Sequence, residues 1–271
     1  MKRLTLALTA MLILAFCAYP ALAGKLEDIK SRGVLKAGVK DSQPPFGYVD
    51  EASRQIVGFE IDLMAALADK LGVKLEKIPV TSSTRIPMLT QGDVDVVAAT
   101  MTHTRERNKQ IDFSITYFST QQRLLVKKDS GIKSIHDLAG HKIASAKGST
   151  SEQNATRAEP KATILSFETY PEAFLALKQG KADAVTTDEA ILMGIKNKDD
   201  NPAAWELAGE PISAEPYGLG VVQNDSQFRN YINFFLMEMW ETGQYKKIYD
   251  KWFGPDTKYP IALNWTMEVW P

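Results

Sequence analysis

The chain has 271 residues, 44% of them hydrophobic and 24% charged, the proportions of a globular protein with a substantial core. Its 32 Lys and Arg against 33 Asp and Glu leave a formal charge of −1. No basic block stands out, which argues against nucleic acid or an anionic membrane surface as a partner.

In chain order, Lys2 and Arg3 come first, then an apolar run from Leu4 to about Cys17, then Ala21-Leu22-Ala23. This is the layout of a secretory signal peptide with small residues at the cut site. The run is shorter than the roughly 20 residues a membrane span needs. Cleavage is expected after Ala23, with export to the periplasm. Cys17 is the only cysteine; Phe16 stands where a lipoprotein peptidase takes a small residue, so a lipid anchor is not expected. Without the leader no cysteine remains, and 30 basic residues face 33 acidic ones. A disulfide, a thiolate nucleophile and a thiolate metal site are then excluded.

Val34 to Val39 reads as a buried strand. Gly58 to Leu71 reads as a helix, with Phe59, Leu63, Ala66, Leu67 and Leu71 on one face and Gly72 ending it. Val73 to Val80 is strand-like, Arg85 to Thr90 a short helix ending at Gly92, and Val94 to Ala98 another strand. The order then recurs. Ser134 starts a short helical piece to Ala139, Lys142 to Ala146 is strand-like, Thr169 to Gln179 is helical, and Ala182 to Thr187 is a strand. Leu-Thr-Gln-Gly-Asp-Val-Asp-Val-Val at 89–97 and Leu-Lys-Gln-Gly-Lys-Ala-Asp-Ala-Val at 177–185 read as one element used twice. A last helix, Ser226 to Glu241, carries Phe228, Tyr231, Ile232, Phe235 and Met239 as a core stripe, with Asp225 as N-cap. The expected class is α/β.

Gly58-Phe59-Glu60-Ile61-Asp62-Leu63 resembles the signature of the polar amino acid-binding proteins, family 3 of the bacterial extracellular solute-binding proteins of ABC transporters. Further landmarks keep the family's order: Gly33 to Val39; Pro45-Phe46-Gly47-Tyr48; Thr100-Met101-Thr102 leading to Arg107; Ile111-Asp112-Phe113-Ser114; Gly148-Ser149-Thr150; Asp188; Tyr217-Gly218-Leu219-Gly220; and Tyr249 to Gly254. The resemblance implies a two-lobed periplasmic-binding-protein-like fold (type II), each lobe a central sheet flanked by helices. Lobe 1 would comprise 24–120 and 218–271 and lobe 2 would comprise 121–217, with hinge crossings near 119–123 and 215–218. It implies a monomer that takes a free amino acid, closes on it, and delivers it to a membrane permease, with no cofactor.

Carried over from the family, Arg107 takes the α-carboxylate, for which a guanidinium fork supplies two parallel charge-assisted bonds. Thr100 and Thr102 meet the α-carboxylate and α-ammonium, Ser149 and Thr150 offer donors at a helix start, and Asp188 is the counter-ion of the ammonium. Lys40 and Arg85 stand where relatives for basic or neutral ligands often have Asp and an apolar residue, and Gln43 where they often have an aromatic one. Ser82 and Arg85 resemble the pair that binds the side-chain carboxylate in the glutamate/aspartate branch, and Tyr170 falls where that branch has a polar ring. A second buried carboxylate must be paired, so an acidic ligand is expected. The alternatives are a neutral polar ligand such as glutamine, or a cyclohexadienyl (prephenate/arogenate) dehydratase on the same fold, with Glu152 or Glu189 as general acid. Phe46 and Tyr48 either line the cleft or pack the first lobe. His103, His136 and His141 lack metal-ligand spacing, and neither a Gly-x-Ser-x-Gly elbow nor a phosphate loop occurs.

Overall fold

The computed structural model describes residues 24–271. The expected leader 1–23, with Cys17 and the cut after Ala23, lies outside them. The chain opens on helix α1, Lys25–Arg32, whose acids Glu27 and Asp28 lie in the first turn and Lys30 and Arg32 in the last, as the helix dipole favours. Strand β1, Val34–Val39, leads to three short strands, β2 Ser42–Gln43, β3 Gly47–Val49 and β4 Ile56–Val57, which form a small antiparallel sheet. Helix α2, Phe59–Leu71, buries Phe59, Leu63, Met64, Leu67 and Leu71. Gly58 precedes it at φ 147°, where an added Cβ would lie 2.2 Å from the Phe46 carbonyl oxygen, so the turn admits only glycine.

Next come β5 Lys74–Pro79, α3 Arg85–Gln91 and β6 Val96–Ala98. A 3₁₀ turn, Arg107–Lys109, precedes the long strand β7, Asp112–Lys127. The second half holds β8 Lys142–Ala146, α4 Thr150–Ala158, β9 Thr163–Phe167, α5 Tyr170–Lys178, β10 Ala184–Asp188 and α6 Glu189–Lys198. The long β11, Trp205–Val221, returns to the first half, and α7 Ser226–Glu241 and α8 Gln244–Phe253 complete it.

The main sheet runs β5-β1-β6-β11-β7-β10-β8-β9. β1 is parallel to β5 and β6, and β8 is parallel to β9 and β10. β7 and β11 pair antiparallel between these two groups. The α/β class holds. The sequence reading did not find β7 and β11 as strands. Gly209, Pro211, Pro216, Gly218 and Gly220 break any strand pattern in β11, and the ladder absorbs them through register shifts between Ala208 and Ser213 and on either side of Gly218. Along that ladder Ser119 faces Pro216 and Thr120 faces Glu215.

The element read twice in the sequence performs one task twice. Asp95 accepts the Lys36 N–H at 2.9 Å and returns its own N–H to the Lys36 carbonyl at 2.8 Å. Asp183 does both with Lys142, each at 2.8 Å. In each half the turn after a helix is thereby locked onto a parallel strand.

The core follows the same layout. Phe46, Phe59, Phe118, Tyr217, Tyr249 and Phe253 form an aromatic cluster beneath α2 and α8, with Phe46 and Phe118 meeting edge-to-face at 5.0 Å. Phe46 is therefore a packing residue. Tyr48 is half-buried and meets Trp252 at the surface. The stripe expected on α7 is buried at Phe228, Ile232, Phe235 and Met239, and Asp225 accepts the Phe228 N–H at 2.9 Å.

Candidate functional site

In an open α/β sheet, residues at the carboxyl ends of parallel strands converge on a crevice. Here Lys40 follows β1, Thr100 and Thr102 follow β6, Ser149 and Thr150 follow β8 at the start of α4, and Asp188 ends β10. Ser82 and Arg85 lie at the start of α3, Tyr170 opens α5, and Arg107 opens the 3₁₀ turn. All ten are buried, Thr150 being the most exposed at 9%. Burial of so many polar groups demands partners.

Within the first half, Lys40 Nζ donates to Ser82 Oγ at 3.1 Å. Arg85 Nη1 donates to the carbonyls of Ala99 and Thr100, the latter at 3.2 Å. Thr100 has φ 47°, a strained setting for a β-branched residue. It is held there at three points: its N–H by Glu60 Oε1 at 2.6 Å, its carbonyl by Arg85, and its hydroxyl by Gln43 Nε2 at 2.9 Å.

Arg107 Nη1 donates to the Thr102 carbonyl at 2.8 Å within the first half, and its Nη2 reaches the Gly148 carbonyl of the second at 3.3 Å. Thr102 and Thr150 both donate to Glu215 Oε2, the latter at 2.9 Å. Asn154 Nδ2 donates to the other oxygen of Glu215 at 3.1 Å. Ser149 caps α4 by accepting the Glu152 N–H at 3.1 Å. Tyr217 donates to Asp188 Oδ2.

The predicted residues thus meet in one buried cluster. Glu60, Gln43, Tyr217 and Glu215 belong to it and were not singled out in the sequence. Glu60 and Tyr217 stood within quoted motifs. Gln43 was noted only for the ring it replaces. Glu215, between Ala214 and Pro216, carries no local signal. Glu152 and Glu189 have other work: Glu152 accepts the Gly148 N–H at 2.9 Å and the Ser166 hydroxyl, and Glu189 accepts from Gln121 Nε2 at 2.8 Å.

The electrostatics follow from burial. Desolvation raises Asp188 to about 8, with the Glu215 carboxylate adding to it and the Tyr217 hydrogen bond, Arg85 and Arg107 opposing. Desolvation raises Glu60 to about 7 against Tyr117, the Thr100 N–H, Lys40 and Arg85. Arg107 falls to about 9 through burial and the neighbouring Arg85, and Lys40 falls well below its usual value for the same two reasons. Burial and Asp188 push the Tyr170 hydroxyl up. Asp188 Oδ1 and Arg85 Nε find no hydrogen-bond partner among the described residues. An unpaired buried acceptor and an unpaired buried donor in one cluster suit a guest that carries both charges.

The family model of bacterial extracellular solute-binding proteins, family 3, matches residues 35–255. The chain is 43% identical over 264 residues to the ABC transporter glutamine-binding protein GlnH of Bacillus subtilis, covering 93% of this chain and 96% of that one. It is 34% identical over 278 residues to the L-glutamate/L-aspartate-binding protein of Pseudomonas aeruginosa, covering 98% and 92%. Among solved structures, an ancestral arginine-binding protein bound to glutamine superposes with a TM-score of 0.78 at 44% identity, over 82% of this chain and 99% of that one. The two-lobed type II architecture is common to these proteins and this chain.

Proposed function

The chain belongs to family 3 of the bacterial extracellular solute-binding proteins, and from that premise we propose that it captures free L-glutamine and hands it to the permease of an amino acid ABC importer. The guest would sit between lobe 1, residues 24–120 and 218–271, and lobe 2, residues 121–217. The lobes would close about 119–123 and 215–218, where β7 and β11 pair.

The observation that carries the ligand is charge balance. Lys40, Arg85 and Arg107 are buried in the cluster with Glu60, Asp188 and Glu215. Once a ligand ammonium holds Asp188 ionised, three cations face three carboxylates and leave no surplus positive charge for a second ligand carboxylate. The acidic expectation rested on Lys40 and Arg85, on the absent ring at Gln43 and on the Ser82–Arg85 resemblance, and left out Glu60. A net-neutral zwitterion fits instead, its carboxylate at Arg107 and its ammonium at Asp188 Oδ1. The relative with 43% identity carries a glutamine-binding name, which supports the same choice. Burying an unpaired ligand charge would cost several kcal/mol.

Among the described residues no helix is long and apolar enough to cross a membrane, which suits a carrier released into the periplasm. Isothermal titration of ligand-free protein against the twenty amino acids tests the reading, glutamine being expected to bind most tightly. Tightest binding of a basic or apolar amino acid would refute it. Incubation with prephenate or arogenate should yield no product absorbance.

A further inference from the structure

Glu60 occupies a position that ordinary packing does not explain. It lies in the first turn of α2, completely buried, while Asp62 on the same turn reaches the surface to Lys251 and Trp252. Its Oε1 takes both the Thr100 N–H and the Tyr117 hydroxyl, and its Oε2 has no partner among the described residues. Arg85 at the start of α3 holds the carbonyl of the same Thr100 whose N–H Glu60 holds, and Arg85 and Lys40 at the end of β1 both favour the ionised form of Glu60 without forming an ion pair with it, Asp41 standing beside Lys40. Tyr117 on β7 and Tyr217 on β11 are its other titratable neighbours, and Tyr245 of α8 donates to the Tyr117 carbonyl at 2.6 Å.

We infer that Glu60 sets the ligand charge the cleft accepts: ionised, it admits the amide ligand, and protonated, it admits glutamate in the same place. This rests on the binding function proposed above. With Glu60 ionised, and Asp188 ionised against the ligand ammonium, the buried groups and a zwitterion balance. Glutamate brings one more negative charge into the cluster, and the charges stay even only if Glu60 gives up its own. The proton moves from solvent to Glu60 Oε2 as glutamate enters, with no other bond made or broken. A group near neutrality, as burial makes Glu60, takes up that proton at little cost.

The test is calorimetric titration of the full chain with glutamine and with glutamate, in phosphate and in Tris, from pH 6 to 8.5. Glutamate should take up about one proton more than glutamine. Their affinity ratio should then shift about tenfold per pH unit against glutamate as pH rises above 7. In E60Q the extra proton should vanish and the ratio should become flat with pH. In Y117F, which removes a donor to the carboxylate, the midpoint of the shift should move to higher pH. Equal proton counts for the two ligands in wild-type protein overturn the inference, as does absence of glutamate binding at pH 6. An extra proton that persists in E60Q overturns it too and puts the charge on Lys40. If neither ligand binds at any pH, the proposed function itself falls. If glutamine binds while any of the earlier failures occurs, only the role of Glu60 is lost.

Discussion

Arg107 and Gly148 lie on opposite halves of the molecule and are joined by a single hydrogen bond, Nη2 to carbonyl oxygen, at 3.3 Å. The other guanidinium contact, to the Thr102 carbonyl at 2.8 Å, stays within the first half. Arg107 is therefore anchored on one side and reaches across to the other. A ligand carboxylate between the halves would meet the remaining donors of the fork. Replacing Arg107 with Ala should abolish binding of every amino acid, since removing one partner of a buried hydrogen-bonded charge pair costs roughly 2–5 kcal/mol. Titration showing near-wild-type affinity in the variant would remove Arg107 from the site.

Asp188 should trade stability for binding. Its carboxyl is raised to about 8 by burial and by Glu215, so the folded state prefers it protonated. The stability it confers is complete below the carboxyl's unfolded value, near 4, and is lost as pH rises through about 8. Asp188→Asn keeps an acceptor for Tyr217 and removes the charge. The ligand-free variant should melt higher than wild type at pH 8, by about 2–4 °C for each kcal/mol gained, yet show no shift in Tm when glutamine is added. A wild-type ligand shift in the variant would contradict the ammonium role.

Asp95 and Asp183 make the same two backbone hydrogen bonds in the two halves, but in different surroundings. The Asp95 side chain is 1% exposed and also receives Arg32, whereas that of Asp183 is 42% exposed beside His141. A buried acceptor is costlier to remove than a solvated one. Asp95→Ala should lower stability by about 2–3 kcal/mol in chemical denaturation, and Asp183→Ala by about 1 kcal/mol or less. Equal losses would mean that burial does not set the strength of this lock.

The fold was legible where local patterning and burial agree. The stripe Phe228, Ile232, Phe235 and Met239 with its cap Asp225 gave α7 to the residue. β11 was illegible because its glycines and prolines are tolerated only through pairing with β7, a partner roughly a hundred residues away that no local window contains. The site divided in the same way. Arg107 and Asp188 could be assigned to the buried cluster because they stand in a fixed order of motifs. Glu60 and Gln43 could not, since each is defined by its bond to Thr100, 40 and 57 residues further on.

Closure should be visible in solution. β7 and β11 pair at Ser119–Pro216 and Thr120–Glu215, the stretch proposed above as the hinge, and hinge closure turns on a few such residues. The radius of gyration from small-angle scattering should fall when glutamine saturates the protein. An unchanged value in protein shown to be ligand-free at the start would count against a hinged binder.

Arg85 offers the sharpest separation of charge from architecture. Its Nη1 braces the carbonyls of Ala99 and Thr100, while its Nε is buried without a partner. Arg85→Leu removes the brace and one of the three buried cations together. Losing the brace leaves two carbonyls unpaired and relaxes the strained Thr100, at a cost of about 1–3 kcal/mol that both ligands share. With Glu60 protonated, losing the cation leaves Lys40 and Arg107 against Asp188 and Glu215, a balance that glutamate upsets and glutamine does not. Glutamine affinity should therefore fall by the shared cost alone, and glutamate affinity by at least a further tenfold, equivalent to about 1.4 kcal/mol. High salt would be a poor substitute for the substitution, because a closed cleft screens its ion pairs little. Parallel titrations at pH 6, the end of the range where glutamate is best accommodated, supply the comparison. If both ligands weaken equally, Arg85 holds the Thr100 turn and takes no part in sensing charge.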